Sequence, residues 1–125
     1  WDNATPSGNA GMLHVLSSLY YLTANGIYEK ELGKLRHSYS ALIAQNPFGV
    51  PHALSAFMAD QNGIEVIKAK DVTDFDKLQG VLRKQPWARR FSILSDLENQ
   101  PSGYQRCIGT VCLQPVSDPT ALYPQ

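Results

Sequence analysis

Apolar positions change their period partway along this chain. Met12, Val15, Leu16, Leu19 and Leu22 recur at helical spacing, with Leu13 and Tyr20 widening the stripe. Only His14, Ser18 and Tyr21 form a narrower polar strip, so this helix is expected to be covered on most sides. It should begin near Asn9, capped by Ser7 or Asn9. Ala24-Asn25-Gly26 should stop it. Tyr28, Leu32, Leu35, Tyr39 and Leu42 then predict an amphipathic helix over 28–45. Glu29, Lys30, Glu31, Lys34 and Arg36 lie on or near its wet face. The short link between the two implies an antiparallel hairpin. Asn46-Pro47-Phe48-Gly49 breaks the second helix, and Pro51 opens a third, to about Gln61, burying Ala53, Leu54, Phe57 and Met58.

After Asn62-Gly63 the pattern shortens. Ile64 to Ala69 is β-branched and partly alternating, which predicts a strand. Residues 74–82 predict a helix with Phe75, Leu78 and Leu82 on one face. Phe91 to Leu94 reads as a second strand, and a loop rich in Asn99, Pro101, Ser102 and Gly103 follows. Tyr104 to Leu113 should form a hairpin turning at Gly109-Thr110, and Asp118-Pro119 opens a final turn. The expected class is α+β. Helical hairpins over 1–62 precede a small α/β unit over 63–125 that carries a C-terminal β-hairpin.

Eleven basic and eleven acidic residues cancel. Zero net charge gives no electrostatic reason for a nucleic-acid or acidic-membrane partner. The Arg89-Arg90 run, with Arg83 and Lys84 nearby, reads as a solvated face. No stretch reaches the roughly 20 apolar residues of a membrane span. The chain begins at Trp1 rather than Met, and the expectation is a fragment or processed product.

Cys107 and Cys112 are the only cysteines. With Gly109 first in a two-residue turn they lie opposite each other. Reduced neighbours, a disulfide and part of a metal site are the three readings. A stable zinc site needs four ligands, and His14, His37 and His52 show no ligand-like spacing to the pair. The pair also lacks the two-residue gap of thioredoxin-type motifs. His52, just after Pro51, could line a cavity at a helix N-terminus, although a surface position is the plainer reading. Asp2, Asn3, Ser7 and Asn9 gather donors and acceptors where a helix starts, and free N–H groups there favour anions and hydroxyl-rich ligands. Asp2 is the only acid near that loop, so no complete catalytic set is visible, and no cofactor or metal is expected.

Two motifs taken together resemble a known family. Asp2-x-Ala4-x-Pro6-Ser7-Gly8-Asn9 precedes a Leu-rich helix, and Cys107-x4-Cys112-x2-Pro115-Val116-x-Asp118 lies near the other end. In this order they resemble the carboxyl-terminal end of the large thioredoxin-domain-containing proteins of the spermatogenesis-associated type. There, a thioredoxin-like domain precedes an (α/α)-barrel of the six-hairpin glycosidase type. The resemblance implies that 1–62 ends such a barrel. Asp2, Asn3, Ser7, Gly8 and Asn9 would then face a sugar-like ligand, with Ser7 and Gly8 shaping the turn.

The chain lacks the thioredoxin-like domain and most of the barrel, so no catalysis is expected of it alone. Its implied partners are the upstream barrel and thioredoxin-like domain. A cytoplasmic location is the expectation, and self-association would hide an uncovered inner helix. Two other function classes compete. One is a stand-alone interaction or scaffold domain. The other is a small thiol oxidoreductase using Cys107 and Cys112.

Overall fold

The computed structural model describes residues 5–86, 89–97 and 103–124. The chain is mixed α+β and divides into two units, Trp1–Ile64 and Glu65–Gln125. No helix among the described residues is long and apolar enough to cross a membrane.

The first unit holds three helices, α1 (Gly8–Thr23), α2 (Gly26–Gln45) and α3 (Pro51–Asn62), with a 3₁₀ turn at Pro47–Gly49. Ser7 caps α1, accepting from the Ala10 N–H, and Asn25 caps α2, accepting from the Ile27 N–H. Pro51 takes the first position of α3, where a missing N–H costs nothing. Ala24 ends α1 in the left-handed region at φ 53°, a conformation that disfavours any residue with a Cβ.

The buried face of α1 differs from the predicted stripe. Ala10, Leu13 and Ser17 are buried, whereas Met12 and Val15 are 48% and 50% exposed. On α3, Ala53, Ala56 and Asp60 are buried and Phe57 is partly covered, but Met58 is exposed and Leu54 half-buried. Small residues let these helix backbones approach closely, and the larger side chains are displaced to the flanks. The α2 stripe is nearer to expectation. Leu32 and Tyr39 are buried and Leu35 packs against the cluster, while Leu42 is exposed.

The second unit holds β1 (Glu65–Ala69), α4 (Val72–Leu82), β2 (Arg90–Leu94), β3 (Tyr104–Ile108) and β4 (Val111–Cys112), with a 3₁₀ turn at Pro119–Leu122. The sheet order is β2-β1-β3-β4. β1 pairs parallel with β2 through the α4 crossover, and antiparallel with β3. Asp71 caps α4, which therefore starts earlier than the apolar pattern alone suggests. Ile67, Ala69 and Tyr104 share one sheet face, and Leu78, Leu122, Phe75 and Leu82 cover it. Asp74, in the first turn of α4, is buried. It accepts from the Gly103 N–H at 3.0 Å and the Tyr104 hydroxyl at 3.2 Å. Burial and the Asp74 carboxylate push the Tyr104 hydroxyl up to about 12.

Gly103 has φ +141°, and a Cβ there would come within 2.8 Å of the Val116 carbonyl oxygen. That same carbonyl accepts from the Tyr104 N–H in a short antiparallel bridge. Only glycine satisfies both demands.

Candidate functional site

The direction of the three helices determines which residues meet at the predicted loop. The His14 and His52 rings lie 4.8 Å apart. About two turns further along both α1 and α3, the Tyr21 hydroxyl reaches the Asp60 side chain and main chain. Helices whose contacts advance together in this way run parallel. α2, which links them along the chain, runs back in the opposite direction, so the N-termini of α1 and α3 share one end with the later part of α2.

At that end the Ser7 Oγ lies 3.3 Å from the Tyr39 hydroxyl, in addition to capping Ala10 at 3.3 Å. Gly8 and Asn9 are exposed. A Cβ at Gly8 would meet nothing within 4 Å, and its φ is not positive. Gly8 therefore leaves open space at the start of the helix, and the fold does not require it there to shape the turn. Asp2 and Asn3 lie outside the described residues. The structure thus brings Ser7, Gly8 and Asn9 to one helix end. It adds Tyr39 and the His14–His52 pair, which spacing did not link to the loop. His52 is half-buried against a ring from a neighbouring helix rather than a plain surface residue.

Toward the other end of α1 and α3 lies a polar clamp. Arg36 donates to Asp60 through Nε at 2.6 Å and Nη2 at 2.8 Å, a two-pronged pair. The Asp60 side chain is fully buried. Arg36, expected on the wet face of α2, is turned inward. The bond to Asp60 raises its pKa further. Burial, followed by the Asp60 charge, raises that of Tyr21. The three residues come from three helices, and the clamp fixes how far each can slide.

In the second unit Glu65 is the corresponding acid. Arg90, Arg106 and the Tyr123 hydroxyl all donate to it. Burial pushes its carboxyl up, but those three bonds outweigh burial and hold it below the ordinary carboxylate range. Burial and the bond to Glu65 push the Tyr123 hydroxyl up to about 12. The Arg106 guanidinium lies 4.4 Å from the Tyr123 ring centroid. Arg90 is therefore not on a solvated face, because Glu65 lies beside it in the parallel register and draws it in.

Cys107 and Cys112 are joined as a disulfide, neither reduced neighbours nor ligands. They are paired directly across β3 and β4. The Leu113 N–H donates to the Arg106 carbonyl, so the cysteines occupy the closer, non-hydrogen-bonded kind of pair. Gly109 has φ +60° and Thr110 does not have positive φ, as a II′ turn requires. Cys107 is buried and Cys112 exposed, on the sheet face opposite Arg106. Among the described residues no group of three or more His, Cys, Asp and Glu is placed to hold a metal.

Comparison with known protein families, curated proteins and solved structures returns no match to this chain.

Proposed function

We propose that this chain is the carboxyl-terminal part of a thioredoxin-domain-containing protein of the spermatogenesis-associated type. Its helical unit completes a six-hairpin glycosidase-like barrel, and the loop from Asp2 to Asn9 forms one wall of a carbohydrate-like site. The observation that carries this reading is the half-exposure of Met12 and Val15 on α1. The opposite side of the helix is already buried, and side chains of this size exposed in its middle suit a helix covered by further helices. Two features support the site. The parallel α1 and α3 bring their N-termini, where helix dipoles favour polar or anionic groups, to one end. Hydroxyls of Ser7 and Tyr39, with Asn9, add polar contacts without a net charge, which suits a hydroxyl-rich ligand.

In this reading Asp2 and Asn9 contact the ligand, Ser7 holds the start of the helix, and the 125-residue chain alone has no turnover. The test is made in the full-length protein. Asp2→Ala and Asn9→Ala should each weaken sugar binding about tenfold while the thermal midpoint stays put, as expected for one lost hydrogen bond to a bound ligand. Unchanged affinity in both would refute the site. A runner-up is a stand-alone interaction domain. The Tyr21–Arg36–Asp60 clamp favours it, since the three helices hold together without outside help.

A further inference from the structure

The α/β unit contains a groove that the reading above does not use. It has a volume of about 830 Å³ and lies between the end of α4, β3 and the final 3₁₀ turn. That volume falls within the range of small-molecule sites. Two of its lining residues, Lys84 and Arg106, are cations, and none of the described lining residues is acidic. Asp118, near the rim in sequence, is engaged by the Thr120 N–H and hydroxyl.

Arg106 is only partly used by the fold. Its Nε donates to Glu65 and its Nη1 to the Leu122 carbonyl at 3.3 Å. Among the described residues its Nη2 has no partner. The Lys84 ammonium pairs with no carboxylate among them either. Glu65 neutralises one of the two arginines that reach it, so the cluster behind the groove retains a positive charge. Val81, Tyr123 and Pro124 supply an apolar wall beside these donors.

We propose that this groove binds a small organic anion. Its carboxylate or phosphate group is held by Lys84 and Arg106, and its apolar body rests on Val81, Tyr123 and Pro124. A guanidinium that lines the groove and is already fixed by Glu65 and Leu122 loses little further freedom on binding an anion, which is the usual advantage of a preorganised donor. The oxyanion class follows from the cations, and the apolar body follows from the wall.

The test is an NMR titration of the intact 125-residue chain with phenyl phosphate, benzoate and inorganic phosphate, following the amides of Arg106, Thr120 and Tyr123. Lys84 is the residue to change, because its exposed side chain makes no ion pair or hydrogen bond among the described residues. Saturable shifts with phenyl phosphate or benzoate are expected, with weaker binding of inorganic phosphate. Lys84→Ala should raise the Kd about tenfold, the loss that one charge-assisted contact gives. Lys77→Ala, exposed on α4 and outside the groove, should leave it unchanged. The preferred aryl anion identifies the head group. The proposal is overturned by the absence of saturable shifts with both aryl anions, by an unchanged Kd in Lys84→Ala, or by an equal loss in Lys77→Ala. Inorganic phosphate binding as tightly as phenyl phosphate would overturn the apolar contact.

Discussion

The two units solve one problem in different ways. Each buries a carboxylate and holds it with arginine and tyrosine. In the helical unit, one aspartate meets one guanidinium face to face, and Glu29 lies a further 3.8 Å from the same arginine. There the Nε and Nη2 donors turn inward to Asp60, and the remaining side of the guanidinium faces the half-exposed Glu29. In the α/β unit, one glutamate meets two guanidiniums and a hydroxyl. There two guanidiniums share one carboxylate, and among the described residues one Arg106 nitrogen has no acceptor. The comparison teaches that a buried acid met by one guanidinium is balanced within its own unit, whereas one met by two leaves a net positive cluster.

Removing Asp60 should break the comparison most severely. Asp60→Ala leaves Arg36 and Tyr21 without their shared acceptor and should cost about 3–5 kcal/mol, the usual loss when one member of a buried pair is deleted. Amide hydrogen exchange resolves the units, and protection should fall across α1, α2 and α3 but not across the sheet.

Glu65→Gln should cost less, about 2–3 kcal/mol, because Arg106 keeps the Leu122 carbonyl and the Tyr123 ring. Acid should reproduce part of that loss. The folded-state pKa of Glu65 is lowered, so its contribution is full above the unfolded value of about 4.3 and disappears as pH falls through the lower folded value. Urea melts between pH 7 and pH 2 should show this slope in the wild type and a shallower one in Glu65→Gln. Equal slopes would mean that the glutamate is not held as described.

Replacing both cysteines by serine should cost about 2 kcal/mol, because the bond closes a short loop. Exchange protection should fall along β3 and β4, with the helical unit untouched. The smallest effect expected is a gain. Ala24→Gly relieves a left-handed conformation at the end of α1 and should stabilise the helical unit by about 0.5–1 kcal/mol in a urea melt.

Local features of this fold were legible in the sequence wherever the determinants lie within a few residues of each other. Ser7 announces α1, Ala24-Asn25-Gly26 marks the break after it although Asn25 turns out to cap α2 as well, Pro51 starts α3, and Gly109 sets the register that places Cys107 against Cys112. The clamps were not legible. Arg36 and Asp60 are 24 residues apart, and Arg106 and Glu65 are 41 apart. Nothing in either neighbourhood shows that the arginine turns inward. Met12 and Val15 misled for a related reason. Periodicity ranks side chains by size and polarity, whereas close helix contacts here favour Ala10, Ser17, Ala53 and Ala56.

For the candidate site, Ser7, Gly8 and Asn9 reach the expected helix end, and Asp2 and Asn3 fall outside the described residues. Tyr39 and His52 could have been added only by knowing that α1 and α3 run in the same direction. The cationic groove needed three distant segments to come together, and Lys84 and Arg106 carry no spacing signal of their own.

Gly103 has a consequence for how this chain can vary. It belongs to the unit that carries none of the residues proposed to meet a ligand at the helix end, yet a single methyl group there would collide with the Val116 carbonyl and displace the N–H that Asp74 accepts. A saturation library at this position should return glycine alone, while Gly8 and Gly80, where a Cβ meets only open space, should admit many residues in a screen for folding. Intolerance to change, on this chain, would mark a tight crossing of backbones as readily as a place of chemistry.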